Sequence, residues 1–288
     1  DIPLVTECGL IDMSTTEFER HDGIRTDESR NQLRATVLQT DIVWCHAAAN
    51  REHLESLLRD APSSDIYLLP EMFATGFCMQ PGLPGVAATA EDTLEWMRQW
   101  AVRLDAALAG SLPVEADGRF YNRFFFVTPH SVEAYDKRHL FTYGGEDKVY
   151  APGQKRVVVE FRGWRFLLQV CYDLRFPVFA RNRGDYEVAL YVANWPVPRI
   201  RVWDALLDAR ALENQCYVLA SNRVGHDPVA AYDGHSRVID PYGKVIASCV
   251  DGQEGFATAV LDRERLEAFR RKFPVLEDGD AFTFEENG

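Results

Sequence analysis

The chain has 288 residues, room for one large domain or two small ones, and its 47% hydrophobic and 26% charged content is that of a globular protein. Lysine and arginine number 31 against 44 acidic residues, a formal net charge of −13. A surface that acidic repels nucleic-acid phosphates and anionic membranes, and no apolar run reaches the roughly 18 residues of a membrane-spanning helix.

Residues 1–32 are polar and rich in charge, and are expected to form an irregular extension. They lack the basic start and apolar core of a secretory leader, and Met13 stands as a candidate native start. Regular structure is expected from Leu33. A strand over 33–41 precedes a helix over 46–60 with Leu54, Leu57 and Leu58 on one face. A short buried strand follows over 65–69, stopped by Pro70. The 91–104 segment reads as a helix through Leu94, Met97, Ala101 and Leu104. A strand over 106–112 and a hairpin over 121–128 and 132–135 come next. Strands over 157–161 and 164–170 turn at Arg162-Gly163. Then come a helix over 176–183, a buried strand over 187–193, and a helix over 201–215 with Leu206, Ala209 and Leu212 inward. Strands over 217–221, 236–239, 244–249 and 257–261, a helix over 262–272 and an irregular acidic tail over 273–288 complete the chain. Strands and helices mix without a linker or repeat from 33 to 272, which points to a single α/β domain.

The six cysteines are dispersed, with no CxxC pair, and suit reduced thiols in a cytoplasmic protein. No HExxH, clustered histidines or glycine-rich phosphate loop appears, so neither a metal nor a cofactor is expected. Four places carry reactive side chains at the ends of apolar strands. Glu71 follows Leu68-Leu-Pro, where partial burial raises a carboxyl towards a general base's range; it equally fits a strand-end cap. Lys137 sits among ionisable neighbours and fits an oxyanion partner or a solvated lysine. Cys171 ends the 164–170 strand. At a strand-to-helix turn the helix N-terminus favours its thiolate, and the Tyr172 N–H faces a tetrahedral intermediate; an inert buried cysteine is the alternative. Glu146 follows Gly144-Gly145, whose lack of side chains leaves room beside it. His139 and His235 keep a Cys–His arrangement open.

Together these segments resemble the nitrilase superfamily of carbon–nitrogen hydrolases. LLPE at 68–71, YDKRHLF at 135–141 and CYDLRFP at 171–177 occur in the family's order, with 66 and 34 residues between Glu71, Lys137 and Cys171. LLPEMFATGF at 68–77, YVANWPVPR at 191–199 and SNRVG at 221–225 are similar to the bacterial ω-amidase-like branch. Val178 departs from the glutamate many members carry there. The resemblance implies a four-layer α-β-β-α sandwich, a homodimer paired through outer helices, and hydrolysis of 2-oxo acid monoamides such as 2-oxoglutaramate. It implies Cys171 as nucleophile, Glu71 as general base, Lys137 as oxyanion partner and Glu146 in support. A small carboxylate-bearing amide needs a cationic anchor, for which Arg199 and Arg201 are candidates, with Trp195 and Phe73 as apolar walls. Nitrile hydrolysis, N-carbamoyl amide hydrolysis, another aliphatic amidase activity and a non-catalytic binding module remain alternatives on this scaffold.

Overall fold

The computed structural model describes residues 31–284, so the expected extension lies almost wholly outside the described residues. Strand β1 (Gln32–Gln39) pairs in parallel with β2 (Ile66–Leu68), and β2 with β3 (Ala107–Ala116). Two antiparallel steps add β4 (Arg119–Val127) and β5 (Val132–Asp136), so β5 runs the same way as β3. The second sheet holds β6 (Val158–Phe161), β7 (Trp164–Val170), β8 (Val188–Ala193) and β9 (Tyr217–Asn222), with β7, β8 and β9 parallel. A small hairpin, β10 (Val224–His226) and β11 (Ala231–Asp233), stands apart from both sheets and was not expected from the sequence. Strands β12 (Arg237–Ile239) and β13 (Val245–Ser248) complete the second sheet. Strand β14 (Gly255–Asp262) returns to pair with β1 and close the first.

Alternation along the strands builds the layers. Leu33, Ala35 and Val37 of β1 face Phe166, Leu168 and Val170 of β7 and Val188, Leu190 and Val192 of β8 in one core between the sheets. The opposite faces are covered by helices. Against the first sheet lie α1 (Ala47–Asp60), through Leu54 and Leu58, and α2 (Ala90–Leu104), through Trp96, Met97, Trp100 and Ala101. His46 caps α1, accepting from the Ala49 N–H. The short helix α3 (Pro177–Ala180) comes next in the chain, and α4 (Ile200–Asn214) covers the second sheet. Helix α5 (Arg263–Lys272) starts at the Asp262 cap and buries Leu266. This is the expected α-β-β-α sandwich.

Two expectations fail locally. The helix over 176–183 is instead a 3-10 turn, Cys171–Arg175, followed by the four residues of α3. Pro177 sets the start of α3, and Arg181 turns extended to end it. In α4 the buried face is Trp203, Leu207, Arg210, Ala211 and Asn214, while Leu212 is 52% exposed. Arg210 and Asn214 are polar but find partners inside: Arg210 donates to Leu174 O at 2.6 Å, and Asn214 receives the Asn182 N–H at 2.9 Å. An apolar-only pattern therefore picks the wrong phase of this helix. The described part of the tail, 273–284, is irregular but docked: Gln215 donates to Phe273 O at 2.8 Å, and Phe284 packs edge-on to Phe179.

Candidate active site

The parallel strands of both sheets, and β5, deliver their following loops to one end of the sandwich. Crevices of α/β sheets form at such an end, outside the carboxyl ends of the strands. Glu71 lies just beyond β2, Lys137 follows β5, Cys171 follows β7 and Asn194 follows β8. A cavity of about 150 Å³ opens there, lined by Glu71, Cys171, Tyr172, Arg175, Trp195 and Arg199 among others.

Its floor is a buried ionic cluster. Glu71, Lys137 and Glu146 are each at most 1% exposed. The Lys137 ammonium donates to Glu71 Oε1 at 3.0 Å and to Glu146 Oε2 at 2.9 Å. Asn122 bridges the carboxylates, donating through Nδ2 to Glu71 Oε1 at 2.7 Å and to Glu146 Oε1 at 3.3 Å. The other Glu71 oxygen receives the Asn194 N–H at 2.8 Å, and the Phe141 N–H reaches Glu146 Oε2 at 2.6 Å. Gly145, at φ +78°, lets the chain reverse into Glu146, and a side chain on Gly144 would strike the Phe141 ring. Burial pulls the Lys137 ammonium down, but Glu146 and Glu71 outweigh it and hold the ammonium above its ordinary range. Burial raises Glu146, with Lys137 opposing.

Cys171 stands at φ +46°, a left-handed conformation that costs a side-chain-bearing residue energy and is concentrated at functional turns. Its thiol lines the cavity with Glu71 and sits in the field of Glu71, Lys137 and Glu146. Burial first, then the Glu71 carboxylate, push the thiol well above its ordinary value, with Lys137 pulling the other way. This corrects the expectation of a thiolate favoured by a helix N-terminus. The element that follows is a five-residue 3-10 turn, too short to carry a macrodipole of consequence.

The structure brings Glu71, Lys137, Glu146 and Cys171 together, with Tyr172, Trp195 and Arg199 on the cavity wall. It does not bring Phe73 or Arg201 there. Phe73 is 1% exposed on the far side of the first sheet, 6.1 Å from the Trp96 ring and pressed on Gly110. The left-handed turn at Met72, φ +45°, separates it from Glu71 and sends it to the other face. Arg201 lies on the exposed side of α4. Sequence reasoning missed Arg175, whose guanidinium lies 5.2 Å from the Trp195 ring, as Arg199 lies 5.3 Å from Phe141. Neither guanidinium has a hydrogen bond or ion pair among the described residues. It also missed Asn122, a lone amide in the aromatic strand β4, and the hairpin residues Asp227 and Tyr232. An amide among buried aromatics was the available signal for Asn122. His139 does not line the cavity, and its Nδ1 is bound to Asp173 at 2.8 Å; His235 is tied to Asp204 at 3.0 Å.

The chain matches the family model described as carbon-nitrogen hydrolase over residues 34–271. It is 46% identical over 252 residues to omega-amidase YafV of Yersinia enterocolitica, covering 87% of this chain and 98% of that one. It is 30% identical over 249 residues to the 2-oxoglutaramate amidase of Bacillus subtilis, covering 84% and 96%. A crystal structure from Xanthomonas campestris, described as a CN-hydrolase superfamily protein with an arsenic adduct in the active site, superposes with a TM-score of 0.84. It is 40% identical, covering 88% of this chain and 99% of that one.

Proposed function

The chain belongs to the carbon–nitrogen hydrolase family, and on that premise we propose that it is an ω-amidase releasing ammonia from 2-oxo dicarboxylic acid monoamides such as 2-oxoglutaramate. The observation that carries this reading is a cysteine in a strained left-handed turn sharing one cavity with a buried glutamate that is itself ion-paired to a buried lysine. Similarity to omega-amidase YafV and to a 2-oxoglutaramate amidase supports the substrate class. So do the two arginines on the cavity wall whose guanidiniums have no hydrogen bond or ion pair among the described residues, since such a guanidinium is a fork for a carboxylate.

In this mechanism Glu71 takes the Cys171 proton as the sulfur attacks the amide carbon. Lys137 and the Tyr172 N–H hold the oxyanion. Glu71 returns the proton to the nitrogen, ammonia leaves, and a thioester remains on Cys171. Water, losing its proton to Glu71, cleaves the thioester and frees the acid and the thiol. Glu146 and Asn122 keep Lys137 and Glu71 in place. Arg175 and Arg199 take the substrate carboxylate against Trp195. A non-catalytic module has no use for this buried cluster, and a Cys–His mechanism lacks its base, since His139 is committed to Asp173 outside the cavity.

The test is ammonia release from 2-oxoglutaramate, glutamine, a simple aliphatic amide and a nitrile, by wild type and Cys171→Ala. Selective release from the 2-oxo amide, lost in the variant, is expected. Preference for the nitrile, or activity surviving in Cys171→Ala, would overturn the reading. Arg175→Met is expected to raise KM for the carboxylate-bearing amide about tenfold or more while sparing a neutral amide. The protein is further proposed to act in the cytoplasm, supported by five free cysteines among the described residues. A homodimer is proposed through the α4 side. Leu212 and Tyr242 are 52% and 49% exposed there, and the Tyr242 ring stacks on Phe269. Light scattering at micromolar concentration should give twice the chain mass, and a monomer would exclude it.

A further inference from the structure

Asp173 takes no part in the chemistry above, yet it is fully buried and every face of its carboxylate is used. Oδ2 receives the Val170 N–H at 2.9 Å and the Tyr135 hydroxyl at 2.8 Å. Oδ1 receives the His139 N–H at 3.0 Å and His139 Nδ1 at 2.8 Å. These four donors come from two different sheets. Val170 ends β7 and immediately precedes Cys171. Tyr135 lies on β5, two residues before Lys137, and His139 lies two residues after it. The Tyr135 hydroxyl also receives the Arg138 N–H at 3.0 Å. Burial, and the neighbouring Asp173, hold the Tyr135 phenol far above its ordinary range, so it stays a donor. The His139 ring is stacked on Phe176, 3.8 Å between centroids and 6° between planes, which fixes which nitrogen meets Asp173.

From this network we propose that Asp173 is the positioning residue of the site: it holds the left-handed turn at Cys171 and locks that turn to the segment bearing Lys137. The proposal rests on the reading of Cys171 and Lys137 given above. The left-handed turn is unfavourable for cysteine, and it persists because the surroundings over-determine it. The Val170-to-Asp173 bond closes the turn locally. The Tyr135 and His139 bonds prevent it from drifting away from β5. Sulfur and ammonium are delivered by different sheets, and no covalent link shorter than 34 residues joins Cys171 to Lys137. A shared buried carboxylate is what sets the distance between them. His139 then serves as an Asp173 donor rather than as a base.

Asparagine cannot replace Asp173. Its one oxygen can accept from Val170 or from the His139 N–H, and its amide N–H₂ then faces the other backbone donor, which is left unpaired. Asp173→Asn is expected to lower kcat about a hundredfold with KM little changed, because misplacement by an ångström acts on the reacting geometry rather than on carboxylate binding. Alkylation of Cys171 by iodoacetamide at pH 7.5, followed by peptide mapping, should slow by about tenfold or more as the thiol loses its alignment with Glu71. Tyr135→Phe should lower kcat less, since Val170 keeps the same oxygen. His139→Asn, which restores a donor near the Nδ1 position, should recover much of the activity that His139→Leu loses. A folded Asp173→Asn with wild-type kcat or a wild-type alkylation rate overturns the proposal. So does a His139→Asn variant as inactive as His139→Leu. If Asp173→Asn does not fold, the Tyr135 and His139 variants decide. Should wild type turn over none of the amides, the reaction assignment fails, and the alkylation rates still judge the positioning role.

Discussion

At Cys171 the surroundings bias the reactive sulfur towards its protonated form. With its thiol pushed up by burial and by Glu71, the alkylation rate of the free enzyme should keep climbing beyond pH 9, where an ordinary cysteine begins to level off. A plateau below pH 7 would mean a resting thiolate. Lys137 has the opposite bias. It stays charged through the alkaline range, and its contribution to stability is present below its unfolded value near 10.5 and lost only as pH rises through its higher folded value. Lys137→Met leaves Glu71 and Glu146 buried together without their cation. It should abolish turnover and cost about 3–5 kcal/mol in a urea titration. How far such residues were legible depends on their company. Glu71, Lys137 and Cys171 stand just past strand ends and Glu146 opens a 3-10 turn, all inside recognisable segments. Phe73 shows the limit: it lies two residues after Glu71, and the chain turns at Met72 (φ +45°), so nearness in sequence did not carry it into the cavity. Arg175 was visible but unassigned, because an arginine in a loop declares a role only once its neighbours are seen to leave it unpaired.

Among the elements, strands were read more surely than helix faces. Strand β8 buries both faces, and its run of apolar residues fits nothing else of that length. Helix α4 was placed correctly along the chain but rotated, because two of its five buried positions are Arg210 and Asn214. The corrected face makes a direct comparison. Trp203→Ala should cost about 3–5 kcal/mol by leaving a cavity beneath the helix. Leu212→Ala, on the exposed side, should change stability of the monomer by no more than about 0.5 kcal/mol. Equal effects in thermal or urea unfolding would return the helix to the orientation the apolar pattern suggests. The β10–β11 hairpin was missed because its strands are three residues each, and its alternation is too short to stand out from a loop.

Across the whole molecule, each sheet supplies half of the site: Glu71, Asn122 and Lys137 from one, Cys171, Arg175 and Asn194 from the other. The layer of side chains between the sheets therefore sets a catalytic distance as well as a stability. Phe126 and Phe166 meet in that layer at 5.3 Å between ring centroids. Phe166→Leu should lower kcat while leaving KM for the 2-oxo amide nearly unchanged, as steady-state assays can resolve; a pure KM effect would show the spacing to be set elsewhere. The sandwich itself was legible because alternation and order of elements survive any loop. The cavity was less so, because it exists only where loops from distant strands converge. One feature of that cavity also bears on how the protein ages. Peroxides oxidise sulfur through its anion, and the first step of that ladder opens onto irreversible acids. A cysteine whose thiol is held above its ordinary range offers little anion to such oxidants between turnovers, so an idle enzyme population should outlast hydrogen peroxide that would silence a permanently ionised thiol.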